Sequence, residues 1–241
     1  MVLRRLDYSE TSQVIAVFTR EHGQQRLIAK GIKRGTKSRV AVGVDLLELG
    51  SVVFSAHPGK DDVLGIMTEW RQTESFPHLR SDLAKLYAAQ YAAEVCSQLT
   101  ETGDPHPILF DAIAELFAAL ASKSALMGLV PFLQAMLREI GLRPDWERCA
   151  SCGRAETATG QGVYFSSHQG GVICRDCEPA IVEKRRVTPS AIRCLRKEAV
   201  EDSDDLPGAF DVLDYHLRET MARPARLSDP LRMALGMRSM R

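Results

Sequence analysis

The 241-residue chain sets 31 Lys and Arg against 31 Asp and Glu and is 45% hydrophobic, which excludes a mainly disordered state and allows a core without disulfide staples. No run approaches the roughly 18 to 20 apolar residues of a membrane span, and the opening MVLRRLDYSE lacks the apolar core of a secretory signal, so a cytoplasmic protein with no membrane partner is expected. Neutrality conceals segregation: the formal charge is +6 over residues 1–40, −3 over 41–80, −4 over 81–130, −1 over 131–180 and +2 over 181–241. One basic end joined to an acidic middle points to an anionic partner for the N-terminal part alone.

Residues 1–75 read as about five short strands. Val2 to Leu6 opens the set, Val14 to Phe18 and Leu27 to Ala29 flank a turn at Glu21 to Gly23, and a long run covers Val40 to Phe54 with bends at Gly43 and Gly50. Val63 to Trp70 follows a turn at His57 to Asp62. Five strands in so short a stretch, with glycines inside the long one, suit a small curved barrel of the OB type. From Pro77 the apolar period becomes helical. One helix runs to Leu99, a second over Ile108 to Leu120, and a third from Leu126 to Ile140 with Gly141 as its stop. Thr188 and Pro189 read as the cap and first residue of a helix to about Ala199, and a last helix spans Phe210 to Met221 after an acidic loop, Glu201 to Gly208. The tail from Arg223 to Arg241 is too mixed to assign. The fold class is therefore α+β in two domains. Residues 1–75 form an OB-like nucleic-acid-binding barrel, and residues 76–241 a helical domain with a zinc-ribbon-like insertion at about 145–182.

That insertion holds two CxxC pairs, Cys149 with Cys152 and Cys174 with Cys177, 21 residues apart. Two residues between ligands let both thiolates of a pair reach one ion from a tight turn, and Gly153 stands where a left-handed backbone is often needed. A hairpin of Val163 to Phe165 and Gly170 to Ile173 would bring the pairs together. Four thiolates fill a tetrahedral Zn²⁺ and leave no open position, so one structural zinc per chain is expected, without metal catalysis. Free thiols or a redox CxxC are the alternatives. His168 falls at the hairpin turn as an exposed residue, and Cys96 and Cys194 read as core.

Between Arg20 and Arg39 stand Arg20, Arg26, Lys30, Lys33, Arg34, Lys37 and Arg39, with Glu21 the only acid. With Arg4 and Arg5 on a neighbouring strand, these residues would line a groove that tracks a nucleic-acid backbone in a salt-sensitive manner. Tyr8, Phe18, Phe54, Trp70 and Phe76 are the local aromatics and are mostly expected in the core, so phosphate contact should outweigh base readout. Enzyme motifs are missing. Gly31 to Ser38, GIKRGTKS, fails as a phosphate-binding loop at Thr36, where glycine is needed, and a strand-like run follows in place of a helix. Neither GxSxG nor HExxH occurs, and no histidine pairs at a catalytic spacing, so a binding protein is the better class.

A basic barrel, a helical bundle and a four-cysteine knuckle in that order resemble the RecO family of bacterial DNA-repair proteins over nearly the whole chain. Leu3-Arg4-Arg5, Tyr8, Glu10 to Ser12, Phe18, Thr19 and Gly23 look like that family's opening strand and hairpin. Lys30, Gly31, Lys33, Arg34, Ser38 and Arg39 are similar to its basic loop, and Gly141 to Pro144 leading into the cysteines to its join between bundle and zinc module. The resemblance implies a non-enzymatic recombination mediator that binds single- and double-stranded DNA, anneals complementary strands, and works with RecR to load recombinase on DNA coated by single-strand-binding protein (SSB). It carries DNA contact to Arg4, Arg5, Lys30, Lys33, Arg34, Lys37 and Arg39, places the acidic SSB tail on the helical domain, and makes the zinc a fold stabiliser. Two departures stand out. The chain starts within the first strand, where relatives usually have several more residues, which predicts either weaker barrel closure or a misassigned start codon, and Pro224 and Pro230 interrupt the tail where relatives often carry a basic helix. The competing reading is a zinc-ribbon adaptor that binds RNA or a protein partner.

Overall fold

Five strands occupy the N-terminal part of the computed structural model, which describes residues 1–33, 43–56, 63–155, 163–197, 199–202, 204–221 and 223–238. They are β1 (Val2–Asp7), β2 (Gln13–Thr19), β3 (Gly23–Ala29), β4 (Leu49–Ser55) and β5 (Gly65–Glu74), in the order β1-β2-β3-β5-β4. The β3–β5 pair is parallel and the others antiparallel. The sheet closes on itself: the Val2 N–H donates to the Glu48 carbonyl and the Leu47 N–H to the Val2 carbonyl, both at 2.9 Å. This is the five-stranded OB arrangement. Its interior holds Val2, Ile15, Val17, Leu27, Ala29, Val44 and Met67.

The long run expected from Val40 to Phe54 is a strand only from Leu49. Leu47 has φ +66, a conformation that ends a strand, and it is held there by its bond to Val2, so closing the barrel takes precedence over the local β-preference. Gly50 sits at a register shift, as a bulge residue should. Residues 34–42, including Arg34, Lys37 and Arg39, most of the Gly31 to Ser38 run and the start of the expected long strand, and the turn at 57–62 lie outside the described residues.

The helical layer begins with a 3-10 turn over Pro77–Ser81, after which Asp82 caps a separate helix, α1 (Leu83–Leu99), by accepting from the Lys85 N–H. The expected single helix from Pro77 is therefore split. Then come α2 (Pro107–Ala119) and α3 (Ala125–Glu139), and beyond α3 Gly141, at φ +74, supplies the left-handed residue of the stop. Strands β6 (Val163–Ser166), β7 (Gly171–Ile173) and β8 (Arg185–Val187) make a small sheet in the order β7-β6-β8. Helices α4 (Pro189–Arg196) and α5 (Leu206–Thr220) follow, and α5, capped by Asp205, starts four residues before the expected Phe210. One apolar cluster runs from the helices under the barrel, where Phe18 of β2 meets Phe110 of α2 with ring centroids 6.0 Å apart.

The tail contains a sixth helix, α6 (Ser228–Ala234), with Pro230 tolerated in its first turn. It is held by charge. Arg232, 1% exposed, donates through Nε to Asp214 at 3.0 Å, and its guanidinium lies 2.7 Å from Asp211. Asp214, fully buried in α5, also accepts from Tyr91 of α1 at 2.8 Å and from Ser228 at 2.7 Å. Among the described residues no helix is long and apolar enough to cross a membrane.

Candidate nucleic-acid interface and metal centre

The strand register sets the outer face of the barrel. Arg4 pairs with Ala16 and Ala16 with Arg26, so two guanidinium-bearing residues share one row across β1, β2 and β3. The next row is aliphatic: Leu6 pairs with Val14, Val14 with Ile28, and Ile28 with Ile66. Leu6 is 67% and Ile66 40% exposed, and Val14 and Ile28 are half-buried. Lys30 follows immediately after β3 and is exposed. Tyr8 is exposed as well, whereas Phe18 and Phe76 are buried and Phe54 and Trp70 pack against the barrel interior.

The candidate cations divide by partner. Arg5 donates to Asp45 at 2.9 Å, and Arg80 reaches the same carboxylate at 2.9 Å. Burial alone would raise the Asp45 pKa, but the Leu46 N–H and the Arg80 and Arg5 guanidiniums hold it below the usual range. Arg20 grips Asp111 of α2 with two bonds, 3.0 and 2.8 Å, and joins barrel to helices. Lys33 lies 2.7 Å from Asp7, and that contact, with the Gln13 amide, holds the Asp7 carboxyl down. Arg4, Arg26 and Lys30 have no ion-pair partner among the described residues, so their charge is available to an outside anion. Sequence reasoning missed the aliphatic row, although its signal is present: the turn at Glu21 to Gly23 fixes the β2–β3 register and hence Val14 opposite Ile28.

In the second region, the sulfurs of Cys149, Cys152, Cys174 and Cys177 lie within 4.8 Å of one another and could hold a metal ion. Cys152 and Cys174 are 3.8 Å apart, which matches the edge of about 3.8 Å that a tetrahedral site with metal–sulfur bonds of about 2.3 Å requires. Gly153, at φ +73, turns the first knuckle, and its N–H donates to the Cys149 carbonyl at 2.8 Å. Burial works against ionising Cys149, but the N–H groups of Cys174, Cys152 and Ser151 aim at its sulfur and bring the thiol down to about 6. Burial pushes the Cys174 thiol up, and its hydrogen bonds with the Cys177, Cys149 and Cys152 sulfurs add to the rise.

The knuckle is fixed to the helices through the β6–β7 turn. Glu183 accepts from Ser166 Oγ at 2.6 Å, from the Ser167 and His168 N–H groups at 3.2 and 3.0 Å, and from the Tyr215 hydroxyl. Ser167 Oγ and His216 Nδ1 are 2.7 Å apart, and His216 Nε2 lies 3.0 Å from the Leu142 carbonyl. Burial lowers the His216 pKa, consistent with a neutral ring that donates to Leu142 and accepts from Ser167. Every polar group of this dyad is engaged by the fold. His168 is exposed at the turn, and Cys96 and Cys194 are buried in the helical core.

The chain thus defines a class of two-part protein, an OB barrel with unpaired cations on its outer face joined to a helical layer that carries a four-cysteine knuckle. Family models match both parts: residues 1–76 match the model described as Recombination protein O N terminal, and residues 80–227 match Recombination protein O C terminal. A DNA repair protein RecO of Rhodopirellula baltica is 31% identical over 202 residues, covering 83% of this chain and 74% of its own length. The protein of that name in Desulfitobacterium hafniense is 34% identical, covering 74% and 63%. That of Bacillus pumilus is 30% identical, covering 81% and 73%. The chain belongs to the RecO family of DNA repair proteins.

Proposed function

We propose that this chain is a non-enzymatic recombination mediator that binds single- and double-stranded DNA across the outer face of its barrel and anneals complementary strands. The observation that carries this reading is the adjacency of the Arg4–Arg26 row to the Leu6–Val14–Ile28–Ile66 row. Cations without internal partners neutralise phosphates and release counterions, which lowers the repulsion between two polyanionic strands. The aliphatic row offers bases an apolar surface without donors or acceptors, so contact is made without reading base identity. A protein that pairs any two complementary strands needs both properties.

In the same reading the four cysteines hold one Zn²⁺. Four sulfur ligands at tetrahedral spacing suit this ion, which when bound ties the two knuckles together and stabilises the fold. RecR and the acidic tail of SSB are the protein partners, the latter on the helical layer. The test is annealing of two complementary oligonucleotides without nucleotide. The wild type should anneal them, and R4E/R26E/K30E should not, with its melting temperature unchanged. Annealing that requires ATP, or none by the folded wild type, would overturn the reading.

A further inference from the structure

A cleft of about 750 Å³ opens where barrel, α1 and the tail meet, within the range of about 300 to 1,000 Å³ typical of organic-ligand sites. Leu3, Leu47 and Leu227 give it apolar walls. Three arginines line it, Arg4 of β1 and Arg223 and Arg226 ahead of α6. None has an ion-pair partner among the described residues. The one carboxylate in the lining, Glu94 of α1, is committed to the tail backbone and accepts from the Arg226 and Leu227 N–H groups at 2.9 and 3.0 Å. Those two bonds fix the Arg223 to Leu227 segment against α1. The cleft therefore carries excess positive charge over an apolar floor, and Arg4 belongs both to it and to the cationic row of the barrel.

We infer that this cleft takes one nucleotide of a bound single strand, with its phosphate among Arg4, Arg223 and Arg226 and its base against the leucines. The strand then passes off the barrel onto the helical layer. This rests on the nucleic-acid reading of the barrel and extends it to tail residues that the helical fold alone does not require. Continuity through Arg4 favours a nucleic acid over an acidic peptide as the occupant.

The experiment uses the full chain and a fluorescein-labelled 30-mer of thymidylate, with anisotropy followed across a salt series. R223E/R226E changes two exposed residues, so its melting temperature should match the wild type. Its affinity should fall at least tenfold, and its log K against log salt slope should flatten by about 1.4, at about 0.7 per single-strand phosphate contact. R138E/R193E makes the same change in net charge at exposed positions outside the cleft lining and should have a much smaller effect. Equal losses in both variants would reduce the effect to overall charge and overturn the inference. If R26E/K30E abolishes binding while R223E/R226E leaves affinity and slope unchanged, the cleft inference fails and the barrel reading stands. If R26E/K30E binds as the wild type does, it is the barrel reading that fails. Saturable binding of a glutamate-rich peptide ending in leucine, lost in R223E/R226E while DNA binding is kept, would assign the cleft to a protein partner.

Discussion

Cations serve opposite purposes in two regions of this molecule. Around α5, arginines are consumed internally: Arg232 is buried on Asp214 and Asp211, and Arg185 also bonds Asp211. On the barrel, Arg4, Arg26 and Lys30 face outward with no described partner, beside Arg5, Arg20 and Lys33, which are paired. Positive charge alone therefore does not mark an anion site. The proposed mark is charge that the fold has left unneutralised, and this separates Arg4, Arg26 and Lys30 on the barrel, with Arg223 and Arg226 at the cleft, from the buried Arg232 cluster of the helical layer.

The comparison can be broken from either side. The largest effect is expected from Asp214→Ala, which leaves Arg232 buried without its main counter-charge and should cost about 3 to 5 kcal/mol by chemical denaturation, with DNA affinity unchanged while the chain is folded. Cys149→Ser should take bound zinc from one ion per chain to none and lower the melting temperature. Chelation of the wild type should reproduce that shift, and full zinc content in the variant would remove the metal assignment. Asp205 supports a smaller change. Its carboxylate caps α5 through the Gly208 N–H and binds Thr188 and Ser190, so Asp205→Ala should cost about 1 kcal/mol.

An acid effect is also expected at His216. A depressed folded pKa stabilises the protein above the unfolded value of 6.5 and is lost as pH falls through the folded value. The melting temperature should therefore drop between pH 7 and pH 5, and His216→Asn should flatten that part of the profile. An unchanged profile in the variant would show that other groups carry the acid sensitivity.

The sequence made the strands and the knuckle legible because their signals are local. A β-branched run marks β2, the apolar Leu27 to Ala29 marks β3, and two CxxC pairs with an apolar hairpin between them mark the metal cluster. What it hid depends on partners distant in the chain. Leu47 looks like strand until its bond to Val2 is seen, and the role of Arg20 in joining barrel to helices shows only once Asp111, 91 residues on, is seen beside it. The tail is too mixed to assign from sequence because Arg232 is a surface residue type, and only Asp214 and Asp211 explain its burial. β8 escaped notice because two of its three residues are arginine.

The most direct test of the central claim compares two double variants for binding to a thymidylate oligonucleotide at low and moderate salt. One removes free cations, R26A/K30A, and the other removes paired ones, R20A/K33A. The account predicts at least a tenfold loss and a shallower salt dependence in the first, with a far smaller change in the second. Equal losses, or a greater loss from the paired set, would contradict the claim that unneutralised charge on the outer barrel face holds the DNA.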